Sequence, residues 1–188
     1  MPSPISHMLI GYVIYRITRM PQQEVRLTGP LPLPRLLVIT VGLSLLPDID
    51  SIPGVLTGEF GRFHNNLTHS PFVGLIVALS FGGIVWLKEH ARFLRWVLLV
   101  LLCYELHVIM DFFTFGRGVM LLWPFSPARY APPMYLFYGL HWSEGWVSVK
   151  HIWTVVTELA FVMFVIFVMY LFSKAKMVNN RSGGQECG

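Results

Sequence analysis

Between Leu46 and Pro71 the chain sets Asp48, Asp50, His64 and His69 into one polar stretch flanked by two strongly apolar ones. Carboxylates and imidazoles together are the donor set of a hard or borderline divalent cation. A third pair, His107 and Asp111, stands four residues apart near the end of a later apolar run, so both side chains share one face of a helix. That pair can grip one cation from two points, or the carboxylate can bridge two; a histidine hydrogen-bonded to its neighbour would look the same. Asp48 and Asp50 would also suit an ordinary turn, and it is their company with the histidines that argues for ligation. His7 opens the first apolar segment. Ionisable groups inside apolar segments mark function more often than packing. The candidate metal ligands are therefore His7, Asp50, His64, His69, His107 and Asp111. Glu158 lies inside a late apolar span on the same face as His151 and requires a partner within the bundle. Asp48 and Glu158 are the candidates for proton transfer; His141 and Glu144 are weaker members of the set.

These residues must be positioned by membrane segments. Of the 188 residues, 54% are hydrophobic and 13% charged, against about 25% charged in soluble domains. The net charge of +4 comes with no basic stripe, so nucleic acid is not an expected partner. Two cysteines, Cys103 and Cys187, make neither a disulfide framework nor a metal knuckle. No basic stretch leads into an apolar core with a cleavage site, so the membrane segments themselves are expected to direct insertion.

The fold class expected is all-α, an integral membrane bundle of four to five apolar helices. The segments run from about His7 to Arg19, Arg35 to Leu46, Pro71 to Leu87, Phe93 to Phe113 and His151 to Phe172. The first two are short for a hydrocarbon core of about 30 Å at ~1.5 Å per residue. Pro47 is expected to end the second segment and open a loop over 47–70, while Ser70-Pro71 reads as an N-cap with proline at the first helical position. Residues 114–150, rich in Gly, Pro, Trp and Tyr, read as a folded interfacial loop. One domain over 1–175 is expected, with a disordered polar tail over 176–188.

Alternating the five segments across a bilayer puts Arg16, Arg19, Arg26, Arg35, Lys88, Arg92, Arg95, Lys174, Lys176 and Arg181 on one side. The positive-inside rule makes that side cytoplasmic. His7, Asp48, Asp50, His64, His69, His107 and Asp111 then fall on the opposite side. A multi-pass protein with an extracytoplasmic metal site is the expectation.

In order along the chain stand Ser6-His7, LLPDID at 45–50, His64 followed by Thr68-His69-Ser70, and His107 with Asp111. This series resembles the YdjM family of bacterial inner-membrane metal-dependent hydrolases over about residues 1–175. The family's first histidine motif commonly reads His-Arg-Gly-x-Thr-His; here Asn65 and Asn66 stand at the second and third positions. The resemblance implies a bacterial inner-membrane location and hydrolysis by a bound metal. The ligand order is also remotely similar to zinc-dependent phospholipase C. That likeness implies Asp50, His64, His107 and Asp111 around one ion with Asp111 bridging, His7 at a second, and His151 with Glu158 as a late pair at wider spacing.

The cofactor expected is a divalent ion, zinc first, with manganese or magnesium as alternatives. The function expected is hydrolysis of a phosphoester or lipid head group, with membrane lipid, or a membrane-associated or small-molecule substrate, as partner. A divalent-cation transporter would use the same residue types but string them through the membrane depth. A non-catalytic protein with a structural metal would close the coordination shell.

Overall fold

A computed structural model of the protein describes residues 2–19, 33–59, 62–90, 92–140, 148–149 and 151–182. His141 and Glu144 lie outside them. The apolar runs fold as helices α1 (Pro4–Arg19), α2 (Leu33–Leu45), α3 (Ile52–Thr57), α4 (Pro71–Glu89), α5 (Phe93–Phe112) and α6 (His151–Ser182), with 3-10 turns over Leu46–Ser51 and Leu67–His69. Among the described residues there are no strands, only the isolated bridges Thr114 to Phe137 and Val119 to Tyr130. The chain is all-α, as expected.

Two boundaries differ from the sequence reading. Pro47 does not open a loop: it sits in the first turn of the 3-10 segment, and Pro53 sits in the first turn of α3. Proline is tolerated there because those first N–H groups have no partner within the helix. The chain therefore stays helical from α2 to Thr57 and stops where Gly58 takes a left-handed φ of 74°. The polar end is the other correction. Helix α6 continues through residues 176–182, part of the tail expected to be disordered; residues 183–188 lie outside the described part. At α4 the reading holds, since Ser70 caps the helix by accepting from the Phe72 N–H and Pro71 follows it.

Pro34–Thr57, Pro71–Lys88, Phe93–Phe112 and His151–Leu171 are long and apolar enough to cross a membrane. Helix α5 is the hub. It packs against α1, α2 and α4 and buries half of its span, whereas the α6 span is 6% buried. Ile10 and Ile14 of α1, Leu36 and Leu43 of α2 and Ala78 of α4 close on Trp96, Val97, Leu99, Val100 and Cys103 of α5. Contact between apolar helices in lipid relies on close approach of small residues. Gly11 of α1 is one such point: a Cβ there would lie 2.7 Å from Val41 Cα and 2.8 Å from the Thr40 carbonyl oxygen. Backbone atoms cannot step aside, so Gly11→Ala must push α1 from α2, at about 1–3 kcal/mol. For a chain of this size the melting temperature in detergent is expected to fall by about 3–10 °C. Gly83→Ala, where a Cβ meets nothing within 4 Å, is the control expected to leave it unchanged.

Candidate metal centre

Seven of the sequence-derived candidates meet at one place. His7 comes from the second turn of α1, Asp48 and Asp50 from the first 3-10 turn, and His64 from the loop after α3. His69 closes the second 3-10 turn, and His107 and Asp111 project from the last turns of α5. Asp111 is the meeting point and its side chain is fully buried. Its Oδ2 lies 2.9 Å from His69 Nε2, 3.0 Å from His64 Nε2 and 3.8 Å from His107 Nε2, while Oδ1 lies 3.4 Å from His7 Nε2. Asp48 Oδ1 faces the same point, 3.5 Å from His107 Nε2, 3.8 Å from His69 Nε2 and 3.3 Å from His64 Nδ1.

The tautomers decide which atoms can bind. His107 Nδ1 lies 2.6 Å from the Ser44 carbonyl oxygen. A carbonyl can only accept, so that nitrogen carries the hydrogen, and in the neutral ring Nε2 keeps a lone pair. The Ser44 carbonyl is open to this bond because it lies in the last turn of α2, where backbone acceptors lack intrahelical partners. His69 repeats the arrangement, with Nδ1 at 3.1 Å from Asp50 Oδ2. A neutral His69 that donates to that carboxylate likewise turns an Nε2 lone pair inward. The two Nε2 atoms then stand 3.2 Å apart with lone pairs facing, beside carboxylate oxygens that are acceptors too. Only a cation or a proton between them makes that arrangement favourable.

The distances are compatible with a cation. Asp48, His69, His107 and Asp111 each offer a ligand atom within 4.8 Å of the others. Five of the pairings are 2.9, 3.2, 3.5, 3.8 and 3.8 Å. Tetrahedral bonds of ~2.0 Å would separate donors by about 3.3 Å. Meanwhile Asp111 Oδ1 and Oδ2, Asp48 Oδ1, His64 Nε2 and both ring nitrogens of His7 are buried without an aligned hydrogen bond. Buried polar atoms rarely go unpaired, and an ion is among the reasons when they do.

Asp50, His64 and His69 form a second possible group, but it competes with the first for His69. Asp50 also accepts the Asn66 N–H at 3.1 Å. Its carboxylate is thereby occupied in orienting His69 and the loop. His64 Nδ1 contacts Ser51 Oγ at 3.0 Å and Asp50 Oδ1 at 3.3 Å. Burial opposes charge on His64, yet Asp111 and Asp50 beside it outweigh burial and raise its pKa to about 9. Protons held in this way balance the carboxylates when no cation does.

Glu158 is not in the cluster. Its carboxylate accepts from the backbone N–H and hydroxyl of Ser3. Ser70 donates to the Trp123 carbonyl at 2.6 Å and ties α4 to the segment after α5.

Two residues with a role went unnoticed in the sequence. Arg117 donates to the carbonyls of Arg62 and His64, and Arg129 to the Asn65 and Gly118 carbonyls and to Asn66 Oδ1. Together they clamp the loop that carries His64. Burial lowers both guanidinium pKa values and the nearby Asp50 opposes the shift. Their only sequence signal is that they are basic residues on the side where basic residues are sparse. Asn65 itself has a φ of 60°, a left-handed conformation that asparagine tolerates better than most side chains.

A family model described as YdjM inner membrane protein matches residues 1–180. Inner membrane protein YbcI of Escherichia coli (strain K12) is 36% identical over 107 residues, which is 53% of this chain and 60% of that protein. The chain thus matches well under two thirds of that relative's length. No solved structure matches the chain, so the likeness to zinc-dependent phospholipase C gains no support there.

Proposed function

This chain belongs to the YdjM inner membrane protein family, and from that premise we propose that it is a multi-pass membrane hydrolase built around one divalent cation. Asp48, His69, His107 and Asp111 would hold the ion. The observation that carries this reading is the pair of inward lone pairs on His69 and His107, 3.2 Å apart and enclosed by acidic oxygens. Two imidazoles, two carboxylates and near-tetrahedral spacing favour zinc over magnesium, which demands an octahedron of oxygens. A bound divalent ion supplies Lewis acidity, polarising a phosphoryl oxygen and making water a better nucleophile at neutral pH.

The chain's own residues prepare that chemistry. Ser44 and Asp50 set the tautomers of His107 and His69. Asp48 thereby becomes a ligand, and it is also the group a substrate would meet first. Its side chain is 15% exposed, against 7% or less for the other carboxylates and imidazoles. His7 and His64 flank Asp111, with ring nitrogens 3.4 and 3.0 Å from its carboxylate oxygens. A site among the ends of apolar helices favours a substrate presented by the membrane, a phosphoester or lipid head group. The basic-residue bias favours the extracytoplasmic face for that site.

Purified protein reconstituted with mixed phospholipids and Zn²⁺ is expected to release phosphate or a phosphorylated head group. His107→Ala is expected to reduce the rate by at least about 100-fold, because it removes a ligand and leaves Asp48 and Asp111 uncompensated. Full zinc binding without turnover of any phosphoester offered would sink the hydrolase reading and leave a structural metal. Uptake of labelled zinc into the vesicles would argue for transport instead.

A further inference from the structure

Glu158 is the acidic residue of α6 that the cation group leaves unused, and its contacts are specific. One carboxylate oxygen accepts the Ser3 N–H and the other the Ser3 hydroxyl. Ser3 immediately precedes α1, and its carbonyl accepts from the Ser6 N–H at 3.0 Å, closing the first turn. A carboxylate at that position takes up an orphan backbone donor and meets the positive end of the helix dipole. His7 lies one turn further on. Its ring stacks on His107 at 3.7 Å between centroids, and its Nε2 lies 3.4 Å from Asp111 Oδ1. Neither ring nitrogen has an aligned hydrogen bond, so the position of His7 depends on the position of α1.

We propose that Glu158 is a positioning residue: by pinning the first turn of α1 to α6 it fixes where His7 stands against Asp111 and His107. Helix α6 also packs Phe161 against Phe137 at 5.1 Å between ring centroids. Thr154 donates to the Gly139 carbonyl at 2.6 Å and Thr157 Oγ1 accepts the Tyr138 N–H at 3.3 Å, and these contacts reach the segment before α6. The Glu158–Ser3 pair joins α6 to the helix that brings His7. This role differs from proton transfer, which needs a carboxylate free to take a proton from a reacting group.

The inference rests on the reading of the site as a cation centre, and its test separates the two. Full-length protein in detergent is loaded with Co²⁺ to read the ligand field and titrated with Zn²⁺ against a chelator. Glu158→Ala is expected to weaken zinc binding by about 10-fold, as loss of a supporting contact does, and to shift the Co²⁺ bands. Glu158→Gln is expected to stay near wild type. Its amide oxygen still accepts from the Ser3 N–H, and its NH₂ can donate to the Ser3 hydroxyl. Adding Glu158→Ala to His7→Ala is expected to weaken binding no further than His7→Ala alone. A Gln variant as damaged as the Ala variant would mean that the charge itself is needed, as in a ligand or base, and would overturn the proposal; so would additive effects. If the wild-type protein takes up neither metal, the site reading fails, and the pin is read from hydrogen exchange along α1. Faster exchange at Met8 to Gly11 in Glu158→Ala but not in Glu158→Gln supports it, and unchanged exchange overturns it.

Discussion

Asp111→Asn is expected to strip the protein of its cation. Metal analysis should find about one divalent ion per wild-type chain, since Asp48, His69, His107 and Asp111 converge on one point, and none retained by the variant through purification. Asn keeps the shape of the side chain and removes its charge. Asp111 is the one carboxylate within 4 Å of all four histidines of the cluster, and no hydrogen-bond donor is aligned on either oxygen. Deleting one partner of such a buried ionic group costs about 3–5 kcal/mol, roughly 100- to 5000-fold in affinity. Glu105→Gln is the control. Glu105 sits on the same helix but lies beside Gly74 of α4, and its variant should keep the ion. Full occupancy in Asp111→Asn would show that the cluster is held together by protons alone.

Chelation is expected to have the second large effect, on stability. With the ion removed, Asp48 and Asp111 are balanced mainly by protons on imidazoles. A ligand present at about 1,000 times its dissociation constant stabilises the folded state by about 4 kcal/mol. For a chain of this size that corresponds to roughly 8–16 °C in melting temperature. Chelator should lower the transition by that amount, zinc should restore it, and Asp111→Asn should melt at the low value under both conditions. A wild-type transition indifferent to chelator and zinc would contradict the cation centre.

Much of this was legible in the chain. The long apolar runs report α4, α5 and the α6 span, because in a membrane hydropathy and length decide the helix. The spacing of His107 and Asp111 reports a shared helix face, and no tertiary information is needed for it. The division of labour between Asp48 and Asp50 was not legible. The sequence reading makes Asp50 a ligand and Asp48 a proton carrier, whereas the geometry sets Asp48 with His69, His107 and Asp111 in one group that could hold an ion and Asp50 with His64 and His69 in another. Two residues in one 3-10 turn point in directions that only the packing of that turn decides. Glu158 could be seen to need a partner, but not that the partner was a serine 155 residues away. The Ser44 carbonyl and the Arg117 and Arg129 clamps depend on backbone positions, which side-chain identity does not report.

The four residues that would hold the ion lie far apart in the chain, with Asp48 near one end of the set and Asp111 at the other. During synthesis, then, no early fragment offers more than a partial grip, and the coordination sphere can be complete only after Asp111 has left the ribosome and α5 has slotted between α1, α2 and α4. Metal loading would thereby fall late in biogenesis, as a seal on an already inserted bundle.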